Sequence, residues 1–237
     1  MRLAAAGHGP GGVALGMKAT LPRLEICIDD LAGARAALAD GADRLEVCAR
    51  LDLDGLSPET ELLSTLRAET ERPLFAMVRP RATDFVLQPG EQDELRRDLE
   101  RAVELGADGA VLGVLTRRGE LPDQELGALL DGLPSGFACT FHRAFDRMVA
   151  PHAGIATLDA LGFARVLTSG RPGKVVDHLP LLRELISLTE SRTIQLLPGG
   201  GVRAHNADSI LEALAVEELH SSATVGWTDW RATRSTV

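Results

Sequence analysis

The chain has 237 residues, 45% of them apolar and 25% charged, with a formal net charge of −9. That size and balance suit one large core, close to the roughly 250 residues of a single α/β barrel. An acidic chain without a Lys/Arg cluster excludes a phosphate-backbone binder, so no nucleic-acid partner is expected. An odd count of three cysteines argues against a disulfide framework, and no run of about 18 apolar residues offers a membrane span. A reducing cytoplasm is the setting these features imply.

The chain opens on a stretch of small residues, Ala4-Ala5-Ala6-Gly7-His8-Gly9-Pro10-Gly11-Gly12. Its Gly/Pro cluster interrupts any signal-peptide core, so residues 1–20 read as a flexible extension ahead of a single domain over 21–237. The pattern Leu-Glu-(Ile/Val)-Cys then occurs twice, as Leu24-Glu25-Ile26-Cys27 and as Leu45-Glu46-Val47-Cys48. In a strand, side chains two apart share a face, so each copy aims a carboxylate and a thiol into one space. A single buried cysteine is ordinary packing. Two copies, each with a glutamate two residues earlier, point to a site.

A second repeat concerns the fold. Leu38-Ala39-Asp40-Gly41-Ala42-Asp43-Arg44-Leu45 recurs as Val103-Glu104-Leu105-Gly106-Ala107-Asp108-Gly109-Ala110 and more weakly as Asp159-Ala160-Leu161-Gly162-Phe163-Ala164-Arg165-Val166. Each copy reads as a helix end, a glycine in the left-handed cap position and a turn into an apolar strand. The spacings of 65 and 56 residues each fit two β-α units. Strands are predicted near 24–28, 44–48, 74–79, 109–114, 138–142, 164–168, 193–197 and 217–221. Ser57-Pro58 reads as an N-cap and first helical position, and Glu91 to Leu105 as a long amphipathic helix. Gly109 to Val114 lacks polar alternation, as a strand covered on both faces should. Strict alternation of eight units predicts a (β/α)8 TIM barrel, its last helix short or missing. A doubly wound open sheet is the competing fold, but no GxGxxG follows the first strand; no organic cofactor is expected.

In such a barrel the chemistry collects at the C-terminal strand ends. Glu25 and Cys27, Glu46 and Cys48, and Arg79 come from the first three strands. His142 and Asp146 follow the fifth, Ser169 and Gly170 the sixth, Gly199-Gly200-Gly201 the seventh, and His220 closes the eighth. Glu25, Glu46, Arg79, His142, Asp146 and His220 form a candidate catalytic set for proton transfer. The two glutamates are expected to pair with each other or to bridge to Arg79, Arg81 or Arg143. Arg79, Ser169, Gly170 and the three glycines form a candidate anion site. Cys139 is offset by one residue from Thr140 and His142 and is expected to face the helices.

The motifs GADRLEVC, VRPR with a following DF, FHRAFD, LTSG, PGGGV and ELHSSA, in this order from about Leu24 to Ala223, resemble the copper homeostasis protein CutC family. The resemblance implies an eight-stranded barrel, cytoplasmic in bacteria, with a role in copper handling. Cu(I) is soft and favours thiolates, so the resemblance makes Cys27 and Cys48 its expected ligands, with Met77 nearby as barrel filling. Two loops depart from the family's pattern. Relatives tend to read Cys-Ala-Asn-Leu and then Gly-Gly after the second strand, where this chain has Arg50-Leu51 and Asp54-Gly55. They tend to have two glycines after VRPR, where it has Ala82 and Thr83. The alternative reading is a lyase, isomerase or aldolase-type enzyme acting on a small phosphorylated or carboxylated molecule. A homo-oligomer is compatible with either.

Overall fold

The computed structural model describes residues 22–234; the proposed extension over 1–20 lies outside them. Eight strands alternate with eight α-helices: β1 (Arg23–Ile28), α1 (Leu31–Ala39), β2 (Arg44–Val47), α2 (Thr60–Glu69), β3 (Leu74–Val78), α3 (Glu91–Glu104), β4 (Gly109–Leu112), α4 (Asp123–Leu130), β5 (Ala138–Phe141), α5 (Pro151–Ala160), β6 (Arg165–Thr168), α6 (Leu179–Ser187), β7 (Gln195–Pro198), α7 (Ala204–Leu214), β8 (Glu218–Ser221) and α8 (Thr228–Arg234). The sheet order is β7-β6-β5-β4-β3-β2-β1-β8, every ladder is parallel, and a bridge between Gly199 and His220 joins the two edges. The fold is a (β/α)8 barrel whose last helix spans only seven residues. No helix among the described residues is long and apolar enough to cross a membrane.

Local chemistry explains the elements. α3 buries Leu95, Leu99 and Ala102, one turn apart, and carries three acids in its first turn, where the helix dipole favours negative charge. The predicted cap at Ser57 is not used: α2 begins at Thr60. Ser57 instead accepts from the Arg79 backbone N–H at 3.0 Å and donates to Asp98 at 2.6 Å, which ties the β2–α2 loop to the end of β3.

The strands alternate between two environments. Residues such as Leu24, Ile26, Leu45, Val47 and Cys139 point outward into the shell shared with the helices. Cys27, Cys48, Phe75, Met77 and Val111 form a separate cluster inside the barrel. Below it lies a polar layer. Register sets Glu25 opposite both Arg44 and His220. Arg44 reaches Glu25 with Nε and Glu218 with Nη2, the latter at 2.7 Å. Arg165 donates to Thr140 at 3.1 Å. Phe75 lies between the Arg44 and Arg165 guanidinium groups, at 5.1 and 4.5 Å from its ring centre.

Candidate functional site

Above the interior cluster, at the C-terminal strand ends, a cavity of about 380 Å³ opens. Cys27, Glu46, His142, Arg143, Arg147 and His220 are among the residues that line it. Cys27 faces the cavity and Cys48 sits behind it, with their sulfurs 3.5 Å apart. The Cys48 thiol also donates to the Ile28 carbonyl at 3.3 Å. The Cys27 thiol is pushed well up from its ordinary value by the Cys48 contact, by burial and by the neighbouring Glu46. Ligand atoms of Cys27, Glu46 and His220 lie within 4.8 Å of one another, a set able to hold a metal ion. All three cysteines are free and buried. Cys139 belongs to the outer shell, where burial raises its thiol to about 12.

The two glutamates of the repeated motif have opposite surroundings. Glu25 bridges to Arg44 and accepts from His220 Nδ1 at 2.7 Å. Burial opposes its charge, but Arg44 and His220 outweigh burial and hold it far below the carboxylate range. Its partner is therefore Arg44, not Arg79, Arg81 or Arg143 as the sequence led one to expect. Glu46 has no salt bridge among the described residues, and its Oε2 is buried without a partner. Burial and the Glu25 charge raise it, against the pull of His220. Burial lowers His220, but Glu46 and Glu25 together raise it above an ordinary imidazole.

His142 is held differently. Its Nδ1 accepts the Ala144 N–H at 3.2 Å, so the proton of the neutral ring resides on Nε2. That Nε2 is buried and unpartnered. Burial and nearby Arg79 lower the ring to about 3. His142 is thus a neutral ring that lines the cavity and carries its proton on a buried, unpartnered Nε2. Gly113 makes room for it: a Cβ there would lie 2.6 Å from His142 Nδ1. At Gly199 a Cβ would lie 2.4 Å from Leu167 and 3.1 Å from the His220 ring.

Three expected site residues serve as scaffolding. Arg79 donates to the carbonyls of Leu53 and Gly55, each at 2.9 Å, and of Thr83 at 3.2 Å, and stacks 5.0 Å from Phe85. Both of its Nη groups are taken by the chain itself, its Nε is buried without a partner, and it does not line the mouth cavity. Asp146 accepts from Thr168 at 2.5 Å, from the Ser169 N–H and hydroxyl at 3.0 and 2.7 Å, and from Arg143 Nε at 3.0 Å. Ser169 is thereby enclosed, and the Gly170 N–H goes to Thr168 at 2.8 Å. Gly199 donates to the Thr168 carbonyl at 3.0 Å, while Gly200 and Gly201 do line the cavity. Sequence reasoning missed Arg147, which ends the FHRAFDR segment, lines the cavity and makes no ion pair among the described residues. It also missed the floor residues Arg44, Arg165 and Glu218. A signal was present: Arg44 and Arg165 occupy the same place in the helix–turn–strand repeat.

Comparison with known proteins agrees with this architecture. The chain is 38% identical over 200 residues to a human copper homeostasis protein cutC homolog, covering 84% of this chain and 72% of the relative. It is also 38% identical over 200 residues to a family protein CutC from Histophilus somni, covering 84% of this chain and 82% of the relative. The crystal structure of a CutC protein from Streptococcus agalactiae superposes with a TM-score of 0.81 at 27% identity, covering 86% of this chain and all of that one (100%). A thiamine phosphate pyrophosphorylase from Pyrococcus furiosus shares the barrel alone, with a TM-score of 0.59, 17% identity, and coverage of 90% of this chain and 96% of that one. The CutC family model matches residues 22–225, and the chain belongs to the CutC family.

Proposed function

We propose that this protein binds one Cu(I) ion between Cys27 and Cys48 as part of copper homeostasis. The observation that carries the reading is the 3.5 Å separation of two thiols on adjacent strands inside the barrel. The donor set fits a soft ion: two thiols lie together, and Met77 belongs to the same interior cluster. Both thiols must lose protons on binding, so affinity rises with pH. The human and mouse relatives are named as copper homeostasis proteins, which agrees with the donor chemistry.

A borderline ion such as Zn(II) would instead favour Cys27, Glu46 and His220. Titration of the reduced chain against a chromophoric Cu(I) chelator separates the two. The expected result is one Cu(I) per chain, lost in Cys27→Ser and in Cys48→Ser and retained in Cys139→Ser and Glu46→Gln. Copper binding that survives the double cysteine substitution, or that depends on Glu46 and not on Cys48, overturns the thiol-pair assignment.

A further inference from the structure

Several donors in the lining of the mouth cavity have no acceptor among the described residues. His142 is 4% exposed, and its Nε2–H has no partner. The ring cannot turn that donor elsewhere. Nδ1 is fixed by the Ala144 N–H, the Phe85 ring centre lies 4.9 Å from that of His142, and the Gly113 backbone packs against the ring. A buried N–H left unmatched costs free energy, which a ligand oxygen would recover.

Two guanidinium groups flank it. Arg143 gives Nε to Asp146 and Nη2 to Ser169 and the Gly173 carbonyl, which fixes the fork and leaves Nη1 without a hydrogen bond. Arg147 makes no ion pair among the described residues, and its guanidinium lies 5.8 Å from the Phe85 ring centre. Phe85 therefore neighbours both His142 and Arg147. The acids in the lining are mostly answered: Asp146 has four donors, and Asp54 lies close enough to Arg79 to favour its charge.

We propose that this part of the cavity is a binding site for a compact oxyanion, a carboxylate or phosphate group on a small molecule, with His142 Nε2–H, Arg143 Nη1 and Arg147 donating to its oxygens. Guanidinium forks match the planar or tetrahedral oxygens of such groups, and charge-assisted bonds are the strong ones. The volume of about 380 Å³ lies at the small end of ligand pockets, which run roughly 300–1,000 Å³, so the molecule is a few carbons in size. Gly200 and Gly201 line the same cavity with φ of 117° and 70°. A Cβ at Gly200 would stand 3.4 Å from the Arg143 guanidinium carbon, so glycine there keeps the approach to Arg143 open. The site differs from the anion site read from the sequence. It uses Arg143 Nη1 and Arg147, which line the cavity, in place of Arg79, which does not.

The test uses the full chain, stripped of metal and desalted, which makes it independent of the copper reading. Inorganic phosphate and malonate are titrated by calorimetry against sodium chloride at equal ionic strength, with the His142 Nε2–H followed by NMR. Saturable binding of at least one anion, with a shift of that resonance, is expected. Arg147→Ala and His142→Gln should each weaken it by about tenfold or more, the loss of one charge-assisted or buried hydrogen bond. Arg147 is exposed, so its variant keeps the fold and remains a valid probe if His142→Gln does not. Tighter binding of phosphate assigns a phosphoryl group, and tighter binding of malonate a carboxylate. No saturable binding of either anion, or binding unchanged in Arg147→Ala with an unmoved His142 resonance, overturns the proposal.

Discussion

The barrel interior contains two polar layers, and they are built on opposite terms. In the floor, Glu25, Arg44 and Glu218 are all buried and Arg44 bridges both carboxylates, although Arg165 beside them keeps one buried Nη2 without a partner. In the mouth, Glu46, His142 and Arg147 sit without salt bridges among the described residues, and two of them hold buried atoms with no partner. Yet Glu25 and Glu46 come from the same repeated motif, one strand apart. Inward polarity alone therefore says little. A closed set of charges holds strands together, whereas an open set waits for something to bind.

The largest expected effect comes from opening the floor. Arg44→Ala leaves Glu25 and Glu218 buried without their shared cation, and breaking such a set should cost about 3–5 kcal/mol of stability. Arg147→Ala in the mouth should stay within about 0.5 kcal/mol. Urea unfolding of the two variants measures the contrast directly. Similar losses from both would erase the distinction between the layers.

A smaller effect separates them by pH. His142 has its folded value lowered from 6.5 to about 3, so below pH 6.5 the unfolded chain takes a proton that the native chain refuses. Stability should therefore fall as pH drops through this window. Between pH 6.5 and 5 the wild type should lose about 1.5 kcal/mol more than His142→Gln does. Parallel losses in the two proteins would mean that His142 is protonated in the native state and is no fixed donor.

The smallest effect lies in the loop over β2. Arg50 and Asp54 take left-handed backbone with φ of 52° and 64°, in a loop where this chain departs from the family's Asn and Gly pattern. Arg50 pairs there with Asp52, both exposed. Arg50→Asn should raise stability by about 0.5 kcal/mol, because Asn tolerates this conformation and an exposed pair contributes little. A loss in thermal unfolding would show that the Arg50 side chain matters more than its backbone strain. Because this loop also supplies the carbonyls that hold Arg79, the same variant should leave anion binding in the mouth unchanged.

Much of the barrel was legible before any coordinates. The helix–glycine–strand repeat placed β2, β4 and β6, and period-two alternation separated Cys27 and Cys48 from Cys139. Local pattern carries that information because strand direction and side-chain face depend only on neighbouring residues. Pairing was not legible. Glu25 meets Arg44 across 19 positions and His220 across 195, and a ladder register of that span is set by how the whole barrel closes. Arg79 looked like an anion clamp because its residue type and strand-end position suit one. Only the folded β2–α2 loop, laid over β3 and presenting two carbonyls to it, gives that guanidinium away. The sequence by itself determined the barrel, its alternating faces and the neighbouring thiols. The tertiary structure decided which inward polar groups neutralise one another and which remain open, because that depends on distances between residues far apart in the chain.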